Sequence, residues 1–201
     1  MAKDFSSIML RDPQALLTRI RTEWGGDRDL WVFGYASLIW RPEFEADEHL
    51  AALVHGWHRA FRMRSRVNRG TPERPGLVFA LVPGGCCRGV VFRIGRERAN
   101  AELQRLWLRE MPTGVYDPRW LPCRTERGVL HALAFTLSRH SPQYVPHVSD
   151  EEMLHILRAA SGRYGSTLQY LVETANALPR HGVRDREVER LVQLARRHQL
   201  L

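Results

Sequence analysis

The sequence predicts an α+β fold in which the strands occupy the middle of the chain and the helices lie at both ends. Short apolar runs with alternating or β-branched composition are concentrated between residues 31 and 137. Patterns with helical spacing precede them and follow them to the C-terminus. Five or more strands around one core can close into a barrel.

The N-terminal helix and strands are predicted from capping residues and from the spacing of apolar residues. Asp12 followed by Pro13 is typical of a helix start, and Gly25-Gly26 ends that helix. The aromatic and β-branched run over 31–35 predicts a buried strand that passes into a turn of small residues. A polar loop follows, and the period-two pattern from Trp57 predicts a second strand.

Prolines and glycines divide the middle of the chain. They are too dense over 65–76 for regular structure, whereas Pro83-Gly84-Gly85 lies between two apolar runs and predicts a hairpin. Helical spacing over 98–111 predicts a helix that ends before Pro112. The remaining strands are predicted over 115–125 and 128–137.

The C-terminal part predicts three helices. Ser149 with Glu152 forms a capping-box pattern for the first, which Gly162 closes. The other two are predicted over about 166–178 and 185–199, and no repeat or low-complexity segment interrupts them.

Length and composition favour one globular domain over residues 1–201. With 44% hydrophobic residues the chain can bury one substantial core, and no long uncharged apolar segment in the sequence could span a bilayer. Residues 1–5 lack the order of a signal peptide, so we expect a cytoplasmic protein. Cys86, Cys87 and Cys123 form no C-x-x-C pair, which is typical of reduced thiols.

The basic charge favours a small-molecule partner over nucleic acid. The net charge of +8 comes almost entirely from arginine, Lys3 being the single lysine, and acidic residues are interleaved along the chain. Such a field can draw in an anionic small molecule without forming a nucleic-acid surface. A salt-dependent association with DNA or RNA stays open as the alternative.

Residues 31–40 contain the first candidate for a binding site. Gly34, Ala36 and Ser37 carry little or no side chain, so a ligand could come close to main-chain N–H groups there. That arrangement would suit the floor of an anionic pocket. The alternative is an ordinary core strand that enters a tight turn.

Glu110 is the candidate acid/base because it continues an apolar helical stripe. Leu106 and Trp107 lie on the same predicted face, in the last turn before the helix ends. Desolvation and the negative end of the helix dipole would both raise the pKa of this carboxyl, as general acid/base chemistry requires. The alternative is a structural ion pair with a nearby arginine, for which the sequence offers Arg105, Arg109 and Arg119.

Other residue types give weaker indications of a catalytic or metal-binding site. Glu73 could serve a site or brace its Pro/Gly-rich loop, and nine histidines form no metal-binding motif. Cys86-Cys87 leads into an apolar strand, where cysteines are usually inert. Ser37 lacks the second glycine of a nucleophile elbow.

Several stretches together resemble the ChaC-type γ-glutamylcyclotransferases. Residues 31–40 are similar to that family's W-V-F-G-Y-G-S-L-I-W pattern, and 69–77 resemble its R-G-T-P-E-x-P-G-L loop. Leu108-Arg109-Glu110-Met111 is similar to the L-x-R-E segment that bears the catalytic glutamate. Residues 162–166 and 182–185 match the C-terminal pattern, so the resemblance covers about 30–192 in order.

The resemblance implies a small mixed β-barrel with surrounding helices, no cofactor and no metal. It also implies that glutathione is converted to 5-oxoproline and cysteinylglycine, with Glu110 as the catalytic residue. It implies further that the turn over 32–37 holds the γ-glutamyl group through main-chain donors. The candidate substrate-binding residues are therefore Val32, Phe33, Gly34, Tyr35, Ala36, Ser37, Leu38, Arg69, Glu73 and Tyr144. Arg69 could contact a substrate carboxylate or brace its loop through a salt bridge, and Glu73 and Tyr144 could orient the substrate or be structural.

One departure from the family pattern concerns Ala36, where the family usually has glycine. Alanine would be strained if this position needed a positive φ, and the substrate preference could then differ. The alternatives left open are a cyclotransferase for another γ-glutamyl amine or dipeptide, and a non-catalytic γ-glutamyl-binding module.

Overall fold

A closed barrel of five strands forms the centre of the computed structural model, which describes residues 11–201. The first ten residues, on which the expectation of no signal peptide rests, lie outside this range. The strands are β1 (Leu30–Gly34), β2 (Glu48–Ser65), β3 (Gly76–Ile94), β4 (Asp117–Thr125) and β5 (Gly128–Thr136), and their spatial order is β1-β3-β2-β4-β5. The predicted α+β barrel is confirmed.

Parallel pairing closes the barrel. The neighbours along the spatial order are antiparallel, whereas β5 pairs parallel with β1 through Val32 and Leu133 and with β3 through Leu81 and Thr136. Both faces of the second half of β5, residues 132–136, are buried. The antiparallel and parallel pairings together make the sheet mixed, as the resemblance implies.

Within residues 11–201, six helices surround the barrel, and the predicted caps Asp12 and Ser149 are confirmed. The side chains of Asp12, Ser149, Ser166 and Asp185 each accept a hydrogen bond from a backbone N–H of the first turn. The helices are α1 (Pro13–Trp24), α2 (Ser37–Trp40), α3 (Arg96–Glu110), α4 (Asp150–Ala159), α5 (Thr167–Ala177) and α6 (Arg186–Arg197). A 3₁₀ turn over Leu178–His181 and the short pair β6 (Ser161–Gly162) and β7 (Gly165–Ser166) complete the fold.

The predicted hairpin at Pro83-Gly84-Gly85 is wrong. Residues 76–94 form the single strand β3, which runs antiparallel to β2 over its whole length. The register shifts between His55 and Trp57, where Gly56, Gly84 and Gly85 have φ values of 80°, 105° and 69°. These left-handed glycines bend both strands without reversing the chain, because each strand keeps the other as a partner on both sides of the bend.

Three further boundaries differ from the sequence prediction. β2 begins at Glu48 rather than near Trp57, because Leu50, Ala52 and Val54 alternate inward and pair with β3. α4 ends at Ala159, and Gly162 lies in β6 instead of closing the helix. The predicted turn after β1 contains the four-residue helix α2.

The core is continuous from the barrel to the helices. Phe33, Phe61, Phe79 and Phe135 are its largest fully buried side chains. Phe61 and Phe79 contact each other and the ring of Tyr170 in α5, with centroid distances of 4.6 to 6.2 Å. Across residues 11–201, none of the helices combines the length and the apolar character needed to cross a membrane.

We expect Gly89→Ala to destabilise the barrel strongly. A Cβ at this position of β3 would lie 2.4 Å from the Gly34 carbonyl oxygen and 2.7 Å from Cζ of Phe33. The clash cannot be relieved by a side-chain rotation, so we expect a loss of about 3 kcal/mol in the free energy of unfolding. Urea denaturation measures it.

Gly56→Ala is the matched control for this measurement. Its φ is +80° but no atom lies within 4 Å of the added Cβ, so we expect a loss of about 1 kcal/mol from backbone conformation alone. Equal losses in the two variants would contradict the close approach of β3 to β1.

Candidate active site

A cleft of about 220 Å³ opens at one end of the barrel. Its walls come from α2, the end of α3, the loop after β2, residues 163–164 and α5, so distant parts of the chain meet there. The polar and aromatic residues that line it are Ser37, Trp40, Arg41, Glu43, Arg64, Ser65, Arg66, Asn68, Arg69, Arg109, Glu110, Thr113, Tyr116, Gln143, Arg163, Tyr164 and Tyr170. Glu110 and Arg69, both predicted from the sequence, share this cleft.

Glu110 is the last residue of α3, and its side chain is only 13% exposed. Burial raises the pKa of this carboxyl above its usual value, and the nearby Glu43 carboxylate adds to the increase. Arg109 opposes both effects, since its Nε lies 2.9 Å from Glu110 Oε1. The result is a desolvated carboxyl with a raised pKa whose ionised form still has a partner.

The alternative of an ion pair at Glu110 is thus also realised, with Arg109 as the partner. Arg105 instead pairs with Glu102 at 3.2 Å, and Arg119 lies over the ring of Trp57. Arg109 further approaches Glu43 to 3.6 Å and donates to the carbonyl oxygen of Arg41. These contacts fix the guanidinium next to the carboxyl that it pairs with.

Arg69 is a buried cation in the same cleft, with 5% of the residue exposed. Its guanidinium lies over the rings of Trp40 and Tyr170 at 5.7 and 5.2 Å and donates to the carbonyl oxygen of Ser166 at 3.4 Å. It forms no salt bridge within the part of the chain that the structure describes. Burial lowers the pKa of this group, so a ligand carboxylate would meet a poorly solvated, uncompensated charge.

The predicted binding segment 32–38 is mostly enclosed by the protein. Val32 and Phe33 are fully buried, and the Tyr35 hydroxyl donates to the carbonyl oxygen of Phe135 at 2.9 Å inside the barrel. Ser37 lines the cleft. The side chains of this segment therefore build the core, and contact with a ligand is left to Ser37 and to main-chain groups.

The backbone of the turn supports such main-chain contacts. The first hydrogen bond of α2 runs from the N–H of Ile39 to the carbonyl oxygen of Ala36 at 2.9 Å, so the N–H groups before Ile39 lack acceptors within the helix. Ala36 has a φ of −148°, outside the left-handed region that favours glycine. The strain considered for alanine at this position does not arise from a positive φ.

Outside the segment 32–38, two further predicted residues do not line the cleft. Glu73 is exposed and lines a second cavity of about 200 Å³ next to α4, and hydrogen bonds from its own backbone and from Thr71 lower the pKa of its carboxyl. Tyr144 pairs with Met63 in an isolated β-bridge, while its neighbour Gln143 lines the cleft. Direct substrate contacts by Glu73 and Tyr144 remain predictions.

The structure adds residues that sequence reasoning missed. Tyr170, Tyr116 and Gln143 line the cleft from α5, from the segment before β4 and from the loop after β5. Tyr170 and Tyr116 are buried, and in the sequence they look like ordinary core aromatics. Only the fold, which places both tyrosines at the cleft, distinguishes them from core aromatics.

The closed mixed barrel with a carboxyl-bearing cleft at its end defines the class of the protein, which is the γ-glutamylcyclotransferase-like fold. A solved yeast γ-glutamyl cyclotransferase specific to glutathione superimposes with a TM-score of 0.77 at 23% identity, covering 85% of this chain and 96% of that one. The chain belongs to the ChaC-like protein family, whose family model matches residues 30–198.

Curated relatives agree with this assignment. The glutathione-specific gamma-glutamylcyclotransferase of Escherichia coli (strain K12) is 37% identical over 157 residues, which cover 78% of this chain and 68% of the relative. Glutathione-specific gamma-glutamylcyclotransferase 1 of Mus musculus is 32% identical over 178 residues, covering 84% and 80%. The resemblance stated from the sequence motifs is confirmed.

We expect Glu110→Gln to become more stable relative to the wild type as the pH rises. Because the folded-state pKa of Glu110 is raised, the protonated carboxyl contributes stability below its ordinary pKa of 4.5, and this contribution is lost as the pH rises through the folded-state pKa. Glutamine does not ionise and keeps its contribution. Urea denaturation from pH 4 to 8 measures the difference.

Glu97→Gln is the control on the same helix. Hydrogen bonds from its own backbone and from Arg96 lower the pKa of Glu97, so the difference from the wild type should have the opposite sign. A stability difference for Glu110→Gln that stays flat with pH would contradict the raised pKa.

Proposed function

We propose that the protein is a glutathione-specific γ-glutamylcyclotransferase that releases 5-oxoproline and cysteinylglycine. The observation that carries this proposal is the desolvated Glu110 carboxyl, which shares one cleft with the uncompensated Arg69 guanidinium in a chain of the ChaC-like family. The relatives whose names specify glutathione support the choice of substrate.

The reaction needs no nucleophile from the protein. In a γ-glutamyl amide, the α-amino nitrogen can attack the γ-carbonyl carbon of the same residue and close a five-membered ring. Cleavage of the amide C–N bond then releases cysteinylglycine. Since both reacting groups belong to one molecule, the enzyme must mainly fold the substrate and move protons.

Glu110 would carry the proton. The α-amino group is an ammonium at neutral pH and becomes nucleophilic only after it loses a proton, which the Glu110 carboxylate accepts. The resulting carboxylic acid returns that proton to the departing amine as the tetrahedral intermediate collapses. Burial makes the carboxylate a stronger base than an ordinary glutamate, and Arg109 favours its ionised form.

Arg69 and the turn after β1 would hold the substrate. The guanidinium of Arg69 suits the α-carboxylate, because both groups lose water on binding and form charge-assisted hydrogen bonds. The N–H groups before Ile39 suit the oxyanion of the tetrahedral intermediate. In this proposal Ala36 contributes only its main chain, since its side chain lies in the core.

We expect Glu110→Gln to abolish release of 5-oxoproline from glutathione, with a loss of at least about 10³-fold in kcat. The amide cannot accept the proton, while its shape preserves the fold and the cleft. Chromatographic detection of 5-oxoproline measures the rate, and a γ-glutamyl dipeptide assayed in parallel tests the substrate preference.

Two outcomes would contradict the proposal. Turnover retained by Glu110→Gln would exclude Glu110 as the acid/base. Turnover of the dipeptide but not of glutathione would favour a different γ-glutamyl substrate, and binding of glutathione without any turnover by the wild type would indicate a non-catalytic module.

We expect Arg69→Met to raise KM for glutathione by about 10- to 100-fold, the effect of losing charged hydrogen bonds to a carboxylate. Methionine keeps apolar volume between Trp40 and Tyr170. Arg74→Met, in the exposed part of the same loop, is the control and should leave KM unchanged. Equal KM values in the two variants would exclude Arg69 as the carboxylate ligand.

A further inference from the structure

A buried arginine of β2 joins the turn after β1 to the start of α6. The side chain of Arg59 is 1% exposed. Its Nε donates to the carbonyl oxygen of Tyr35 at 2.5 Å, one terminal nitrogen donates to the carbonyl oxygen of Arg88 at 2.6 Å, and the other pairs with the Asp185 carboxylate. Three acceptors from distant parts of the chain therefore meet on one guanidinium.

The two oxygens of the Asp185 carboxylate have different partners. Oδ1 accepts from the N–H groups of Glu187 and Val188 at 3.0 and 3.1 Å and so caps α6, while Oδ2 pairs with Arg59. The Glu187 carboxylate in turn accepts from the N–H of Phe61 at 3.1 Å. The start of α6 is thus fixed on β2 beside Arg59.

We propose that Arg59 and Asp185 form a positioning pair, which holds the Tyr35–Ala36 peptide in the orientation that the γ-glutamyl group requires. This role rests on the proposed function. A trans peptide is planar, so fixing the carbonyl oxygen of Tyr35 also fixes the direction of the Ala36 N–H. Neither charged residue lines the cleft, so the pair acts through the turn that leads into Ser37.

The chemistry of the pair fits orientation better than stability. A buried ion pair recovers little more than its desolvation cost, and apolar residues of similar volume often replace it without loss. The planar guanidinium, however, has donors in fixed directions, and three of them are used here on three acceptors. Such a fork fixes the plane of a peptide, which a point charge does not.

Asp185→Asn separates the two tasks of this carboxylate. Asparagine caps helices as well as aspartate does, and its oxygen can still accept from Glu187 and Val188. Its amide nitrogen, however, places a second donor against Arg59. The matched control is Asp12→Asn, the same change at the N-cap of α1, where the carboxylate accepts from the N–H of Gln14 at 2.8 Å.

The experiment measures turnover and amide exchange of both variants at a temperature where circular dichroism shows each to be folded. We expect Asp185→Asn to lower kcat/KM for glutathione by about 10- to 100-fold, because small displacements of binding groups are costly in rate. We also expect the amides of Ile39 and Arg41, whose N–H groups donate to the carbonyl oxygens of Ala36 and Ser37 in this turn, to exchange about tenfold faster, or more. Asp12→Asn should change neither quantity.

Arg59→Lys provides a second variant in which the buried charge is kept. The ammonium can pair with Asp185 but cannot reach all three acceptors. We therefore expect the same loss of kcat/KM as in Asp185→Asn, with a smaller decrease in the free energy of unfolding. Unchanged kcat/KM in either folded variant would overturn the positioning role, whether or not the exchange becomes faster. A wild type that releases no 5-oxoproline would overturn the proposed function itself, while the exchange rates would still show whether the pair fixes the turn.

Discussion

Burial of one carboxyl group at the end of α3 is the constraint on which the site depends. A carboxylate in poor contact with water is costly, and its pKa rises as a consequence. The protein limits this cost with Arg109 rather than removing it, which leaves a carboxyl whose pKa stays above its ordinary value. Packing of α3 holds the group in place, since Trp107 donates to the carbonyl oxygen of Pro13 at 2.8 Å and Leu103 is fully buried.

The rest of the fold supplies geometry rather than reactive groups. Thr167 of α5 donates to the carbonyl oxygen of Arg69 at 3.0 Å, and Ser65 accepts from the N–H of the same residue at 3.0 Å, so the loop after β2 is held from two sides. Arg59 and α6 hold the turn after β1 in a comparable way. A reaction between two parts of one substrate gains most from such fixed positions.

The sequence reveals the parts of this structure that have local causes. Caps such as Asp12 and Ser149 are visible because the capping residue and its partners are neighbours in the chain, and Glu110 is conspicuous as a carboxyl in an apolar stripe. The bent strand β3 is misread because Pro83-Gly84-Gly85 has the composition of a turn, and only its long-range pairing with β2 shows otherwise.

The parts of the site that depend on distant contacts cannot be read in this way. Arg59 meets partners 24 and 126 residues away, and nothing near it in the sequence marks it as buried. Glu73 shows the converse, because a motif suggests a site residue while the fold places its side chain at another cavity, so its contact with a substrate stays a prediction. The motifs identify the family, and the structure decides which residues meet.

The most direct test of the acid/base role is a ¹³C NMR titration of the Glu110 carboxyl in the free protein, compared with the pH dependence of kcat/KM for glutathione. We expect this carboxyl to titrate above the ordinary glutamate pKa of 4.5. As the pH decreases, kcat/KM should decrease with the same pKa, since the protonated group cannot accept a proton. A carboxyl that titrates at or below 4.5, or a kcat/KM that decreases with a different pKa, would contradict the assignment of Glu110 as the base.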